Sequence, residues 1–277
     1  MYPTVTVICP IYNNPEEVKK LIPALLNQDY NANKFNVMLV DNGSSKKNKI
    51  ALKKLIKGSN KFTIVNEDKI IGSYAARNKG IINSNSSIFA FIDSDCIPNN
   101  DWISKGVSGL NKYNSDYAGG KIEHIYSSKK PNIFEKFSTY NKLNQEYYIK
   151  HLKFAATGNL FVYKKVIDNV GLFNHSLVSS GDFEFGQRVY KAGFAMVYLP
   201  DAIVLHPAHS TFFTNLAKSF RLAVGRKQLK AIAENKNIII TNREEKKLYK
   251  NLSIFEIFKI LIIDLNTYLK IIISGIR

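Results

Sequence analysis

Short β-branched runs alternate with helically spaced apolar residues through the first third of the chain, and most of the runs end on a polar or acidic residue. That alternation constrains the fold more than any other feature, because it is the pattern of a mostly parallel sheet covered by helices. Thr4 to Cys9 reads as a first strand. Pro15 suits a first helical turn, and Val18, Leu21, Ile22, Leu25 and Leu26 recur behind it at helical spacing. Asn36 to Val40 reads as a second strand ending at Asp41, followed by the polar turn Asn42 to Ser45 and a lysine-rich helix carrying Ile50, Leu52, Leu55 and Ile56. Phe62 to Val65, Tyr74 to Ile82 and Ser87 to Ile92 continue as strand, helix and strand, the last ending at Asp93. In open α/β sheets the C-terminal strand edge is where ligands bind, since helix N-termini point into the crevice there.

Beyond Asp101 and Trp102 the alternation weakens. A stretch rich in Tyr, Asn and Lys runs from Gly119 to Lys153 and is expected to face an acceptor; order resumes at Phe154. A helix is expected from Asp182 to Ala192, a last strand from Met196 to Tyr198, and basic helices from Ser210 on. With 277 residues, 45% of them hydrophobic, the chain can bury one large core or a core plus an appendage. Its net charge of +17 points to anionic partners: diphosphates, nucleic acid or an acidic membrane surface. The two cysteines, Cys9 and Cys96, form no CxxC pair, which fits a reducing cytoplasm and argues against a disulfide scaffold. The strand-like run from Thr4 leaves no room for a signal peptide, so a cytoplasmic location is expected.

Three constellations carry chemistry. Asp93-Ser94-Asp95 follows the apolar run Ile88 to Ile92, so a buried strand delivers two carboxylates to the edge loop. Paired hard oxygen donors suit Mg²⁺ or Mn²⁺ bound together with substrate phosphates, although an acidic turn that merely ends a strand has the same sequence. Asp41 ends a strand too; Asn42, Gly43 and Ser44 beside it can serve a base or ribose, while the aspartate can equally cap the next helix. Arg77 and Asn78 fall early in a helix preceded by Gly72 and Ser73, where a guanidinium reaches a phosphate or ribose or simply lies on a solvated face.

Six segments occur in a familiar order: Val5 to Asn13 (VTVICPIYN), Leu39 to Ser44 (LVDNGS), Ala75 to Gly80 (AARNKG), Phe91 to Asp95 (FIDSD), Ala155 to Leu160 (AATGNL) and Gly181 to Arg188 (GDFEFGQR). Over roughly residues 4 to 207 the chain resembles a family 2 glycosyltransferase of the GT-A fold. The resemblance implies an α/β nucleotide-binding domain over residues 1–209 and a helical appendage over 210–277. It further implies that Pro10, Tyr12, Asn13, Asp41, Arg77, Asp93 and Ser94 hold the nucleotide, and that Asp95 binds the divalent metal (Mn²⁺ or Mg²⁺). Gly158 and Asn159 would line the donor-sugar and acceptor cleft, with the glycine permitting close approach of a ligand to the backbone. Asp182 matches the base that takes the acceptor proton in an inverting displacement, a contribution of about 10² to 10⁴-fold.

Gly181 departs from the commoner pattern, since many members carry a glutamate directly before that aspartate. A helix N-cap role for Asp182 is compatible with the catalytic one, and Glu184 stands second, toward the acceptor or as an orienting group. His206 sits where some relatives place a histidine near the metal or diphosphate; a structural histidine is the other reading.

Lys218, Arg221, Arg226, Lys227 and Lys230 cluster after Ser210, and apolar residues recur from Ser253 to Ile273. The longest unbroken apolar run there, Ile260 to Ile263, is too short to span a bilayer, so an amphipathic helix is expected, lying in an anionic inner-leaflet interface or packed on protein. The reaction expected is transfer from a nucleotide-diphosphate sugar, UDP-linked by preference, to a glycan or lipid-linked acceptor. A non-catalytic sugar-nucleotide binder would have lost the metal or base aspartate. A nucleotidyltransferase would carry a glycine-rich loop where Cys9 to Asn13 stands, and no nucleic-acid-binding signature accompanies the positive charge.

Overall fold

The computed structural model describes residues 2–140 and 143–235. The helix expected over Ser253 to Ile273 lies outside the described residues. The first half follows the expected alternation: β1 (Val5–Ile11), α1 (Pro15–Leu26), β2 (Phe35–Asp41), α2 (Lys46–Leu55), β3 (Phe62–Asn66), α3 (Ser73–Ile82) and β4 (Ile88–Ile92). The second half contains β5 (Ile97–Pro98), α4 (Trp102–Lys112), β6 (Tyr117–Ile125), α5 (Ile133–Tyr140), α6 (Gln145–Tyr147), β7 (Asn159–Tyr163), α7 (Lys164–Val170), α8 (Gly181–Lys191), β8 (Met196–Pro207) and α9 (Phe212–Asn235).

Eight strands form one sheet in the order β3-β2-β1-β4-β7-β6-β8-β5. The pairs β1·β2, β1·β4 and β2·β3 are parallel. The pairs β4·β7, β6·β7 and β5·β8 are antiparallel, so the sheet is mixed where a mostly parallel one was expected. Hydrophobic spacing reports a strand's faces but not its direction, which explains the difference. Likewise β8 runs on through Pro200 and Asp201, well past the short strand read from Met196 to Tyr198.

Residues 1–123, 143–175 and 182–206 make one compact unit that holds the sheet. Among the described residues, 124–140, 176–181 and 207–235 make a second. Within the second unit Phe134 of α5 meets Phe212 of α9 edge to face at 6.3 Å, and Gln228 accepts from the Val178 amide at 3.0 Å.

The sheet unit is built from strands buried on both faces: every residue of β4, and Val5 to Cys9 of β1, are buried. Helix α3 approaches β1 closely because Gly80 faces Ile8; a Cβ there would stand 2.6 Å from Ile8 Cγ2. On the antiparallel side Asn159 is fully buried, and its side chain joins three elements. It accepts from Trp102 Nε1 at 2.8 Å and donates to the carbonyls of Lys121 at 2.8 Å and Ala202 at 2.9 Å. Trp102 in turn packs on Phe161, with ring centroids 4.9 Å apart. Asn159→Ala would leave the indole N–H unpaired in the core and remove two further bonds. The expected cost is about 3 kcal/mol, read as a lower urea midpoint with an unchanged slope.

Candidate active site

The three parallel strands β1, β2 and β4 deliver Tyr12, Asp41 and Asp93 to the same sheet edge. At the end of β1, Asn13 adopts φ 53°, and its side-chain oxygen accepts from Ser45 N at 2.8 Å and Asn48 Nδ2 at 2.9 Å. Its amide donates to Ser44 Oγ at 2.9 Å. This side chain ties the β1 loop to the start of α2. Pro10 pairs with Val40 inside the sheet, whereas Tyr12 is 62% exposed and presents a ring face at the edge.

Asp41 is buried, and its Oδ1 accepts from Ser44 N at 3.1 Å with Lys49 Nζ at 3.6 Å. Its Oδ2 is buried and has no hydrogen-bond partner, an arrangement that calls for a donor from elsewhere. The side-chain amide of Asn42 is committed to the loop before α3. It donates to the carbonyls of Glu67 and Ile70, each at 2.8 Å, and accepts from Gly72 N at 2.6 Å.

Arg77 is 4% exposed, not solvated, and its Nη2 meets Asp93 Oδ1 at 2.6 Å. Its Nε is a second buried atom without a partner. Asn78, next along α3, is spent on structure: it donates to the Phe173 carbonyl at 2.8 Å and accepts from the Phe173 amide at 3.0 Å. Ser94 is held by the Asn14 side-chain amide, a contact the spacing did not suggest. Gly158 lies against Asp93, where a Cβ would stand 3.2 Å from Oδ2, so a glycine there keeps the carboxylate's surroundings open.

Asp95 Oδ2 lies 3.9 Å from His206 Nε2, and Cys96 Sγ completes a group whose ligand atoms all lie within 4.8 Å of one another. Burial is the main cause that raises the Asp95 pKa; His206 opposes the shift and Asp93 adds to it. The Cys96 thiol is pushed well up by burial and by its carboxylate neighbours, which keeps it protonated. Carboxylate and imidazole suit a hard to borderline divalent cation, and Mn²⁺ better than Mg²⁺.

Asp182 opens α8, where the positive end of the helix dipole favours a carboxylate. Its Oδ1 accepts from its neighbour Phe183 N at 3.0 Å and from Tyr74 Oη at 3.3 Å. Its pKa is raised, chiefly by burial, while Arg77 and the two hydrogen bonds pull the other way. Glu184, two residues on, has both its oxygens clamped by Arg188 at 2.8 and 2.9 Å, and Arg188 carries on to the carbonyls of Val170 and Leu172. Asn159, expected at the donor-sugar and acceptor cleft, is fully buried, with its side-chain amide bonded to Trp102 and two carbonyls. Sequence reading missed Tyr74; the signal present was its place three residues before Arg77, one turn away on the same helix.

A mixed sheet with carboxylates at its edge and an Asp95, Cys96 and His206 group that could hold an ion defines an α/β fold with a polar candidate site. The sequence pattern of Glycosyl transferase family 2 matches residues 6–171, and the chain belongs to that family and is a glycosyltransferase. It is 36% identical over 230 residues to glycosyltransferase AglE of Haloferax volcanii, covering 82% of this chain and 74% of that one. A Methanococcus voltae enzyme named dolichyl N-acetyl-alpha-D-glucosaminyl phosphate 3-beta-D-2,3-diacetamido-2,3-dideoxy-beta-D-glucuronosyltransferase is 24% identical, over 72% of this chain and 65% of that one.

Among solved structures, a mannosyltransferase of Pyrobaculum calidifontis superposes with a TM-score of 0.64 at 19% identity, covering 84% of this chain and 65% of that one. TarS of S. aureus, solved with UDP, gives a TM-score of 0.58 at 18% identity over 80% of this chain and 65% of that one. Both likenesses confirm the GT-A fold.

The raised pKa of Asp182 would set a pH dependence if this carboxylate takes the acceptor proton. With Asp182 as base the residue must be ionised to work, and activity would be lost as pH falls through that raised value. The acid limb of kcat is therefore expected above the ordinary aspartate value of about 3.9. A limb at or below the ordinary value would mean another group is the base.

Proposed function

We propose that the chain transfers a sugar from a nucleotide-diphosphate donor to a glycan or lipid-linked acceptor with inversion, Asp182 acting as base. The observation that carries this reading is the shared guanidinium of Arg77. It pairs with Asp93 at 2.6 Å and also acts electrostatically on Asp182, joining the donor-side carboxylate to the base.

In this reading the acceptor hydroxyl loses its proton to Asp182 as its oxygen bonds to the anomeric carbon. The bond from that carbon to the diphosphate breaks on the opposite face, and its electron pair leaves with the diphosphate. Asp41 Oδ2 accepts from the nucleobase and Arg77 Nε donates to ribose or phosphate, which would give both orphaned atoms a partner. Uracil and guanine each offer a ring N–H, so this contact admits either base. UDP is favoured on family grounds, and the exposed Tyr12 ring supplies a stacking face.

Asp95 and His206 would hold a divalent cation, with Cys96 remaining a buried neighbour. When bound, such an ion supplies positive charge to the leaving diphosphate. The similar mannosyltransferase structure contains GDP-Man and Mn²⁺, and the TarS structure contains UDP, which supports a metal and a nucleoside diphosphate here. The dolichyl-linked substrate in the name of the Methanococcus voltae relative supports a lipid-linked acceptor.

Among the described residues no helix is long and apolar enough to cross a membrane. On α9, however, Phe213 and Phe220 are exposed two turns apart, with Arg221 and Lys227 also exposed. That combination supports peripheral contact with an anionic bilayer.

Calorimetry with UDP and with GDP, each in Mn²⁺ and in EDTA, tests the donor site. Binding of one nucleotide that weakens on chelation is expected, and no binding of either would overturn the reading. Asp182→Asn is expected to bind nucleotide nearly as the parent does while losing at least about 10²-fold in turnover. Co-sedimentation with phosphatidylglycerol vesicles at low salt, absent with phosphatidylcholine alone, is expected for the membrane contact; equal behaviour toward both would refute it.

A further inference from the structure

Helix α3 carries two polar side chains one turn apart that reach two different carboxylates of the candidate site. Arg77 holds Asp93, and Tyr74 donates to Asp182 Oδ1 at 3.3 Å. Both are nearly buried, at 4% and 5% exposure. The Arg77 guanidinium carbon lies 5.5 Å from the centroid of the Tyr74 ring, so the two side chains also support each other. The Tyr74 ring also stacks on Phe173, with centroids 5.9 Å apart and planes 26° apart. Phe173 is fastened to the same helix by the two hydrogen bonds it makes with Asn78. A phenol held this way offers its hydroxyl from a fixed position.

Two donors, Phe183 N and Tyr74 Oη, converge on Oδ1 of Asp182. We propose that Tyr74 is the positioning residue of this enzyme's base: it anchors Asp182 through Oδ1, so that Oδ2 takes the acceptor proton, and through Arg77 it ties the base to the donor carboxylate Asp93. The inference rests on Asp182 being the base. Donor placement and base placement are then two functions of one rigid helical turn, and a shift of α3 on donor binding would move both.

The charged and titratable groups facing Asp182 are Arg77 and Tyr74 from α3 and Tyr117 from β6. Burial raises the Asp182 pKa, while Arg77 and the Tyr74 hydroxyl lower it. Removing the hydroxyl therefore moves the pKa further up, because a donor to a carboxylate favours its ionised form.

Tyr74→Phe keeps the ring, its stacking on Phe173 and its contact with Arg77, so folding is preserved and only the hydroxyl is lost. The direct test is carboxyl ¹³C NMR titration of protein labelled at aspartate, with the Asp182 signal identified as the one missing from Asp182→Asn. The Tyr74→Phe signal is expected to titrate at a higher pH than in the parent. An unchanged midpoint overturns the inference.

Release of nucleoside diphosphate from UDP-GlcNAc or GDP-mannose, whichever the enzyme accepts, is the second readout. The variant's kcat is expected to fall about 5- to 10-fold, with its acid limb moved upward and the donor KM unchanged. A rise in donor KM with no change in limb would mark Tyr74 as structural and overturn the inference. Turnover persisting in Asp182→Asn would show that the base reading itself had failed, separately from the question of whether Tyr74 holds Asp182.

Discussion

The ion pair between Arg77 and Asp93 is the interaction around which the site is arranged. A guanidinium as buried as Arg77 is costly without a partner, and pairing at 2.6 Å offsets that cost only when the geometry is rigid. The rigidity comes from the packing of α3 on β1, which Gly80 makes possible by leaving room for Ile8. A side chain at that position would lift the helix, and Arg77, Tyr74 and Asn78 would move with it. Through these three residues one short helix reaches Asp93, Asp182 and the Phe173 segment.

The electrostatic arrangement follows from this. Asp93, Asp95 and Asp182 gather on one side of the sheet unit, and burial raises the pKa of Asp95 and of Asp182. A nucleotide diphosphate would add negative charge to a region already rich in carboxylates. Positive charge is therefore needed, and Arg77 and a cation at Asp95 and His206 are the means the residues offer. The net charge of +17 acts at longer range, drawing anionic partners toward the protein without choosing where they bind.

Much of the candidate site was legible as residue types in sequence, but which of them contact a ligand was not. Asn13, Asn159 and Glu184 lie in motifs associated with ligand contact, and Asn42 and Asn78 stand beside such residues. Each spends its side chain on backbone amides and carbonyls or on neighbouring side chains. A short polar side chain beside a ligand and one that shapes the loop around a ligand occupy the same motif position, because both are needed for the motif to work. Asp41 and Arg77 differ from these in retaining a buried polar atom with no partner. That distinction is one of three-dimensional hydrogen-bond accounting, and no spacing rule supplies it.

By itself the sequence determined the alternating first half of the fold, the polar strand ends and the identity of the carboxylates. Those depend on local periodicity and on the chemistry of single side chains, which are written residue by residue. Only the tertiary structure decided that β4, β7 and β6 run antiparallel, that Cys96 and His206 converge on Asp95, and that Tyr74 reaches Asp182 across 108 residues. Strand direction and long-range contact arise from how buried faces pack against one another, and packing is a property of the assembled chain.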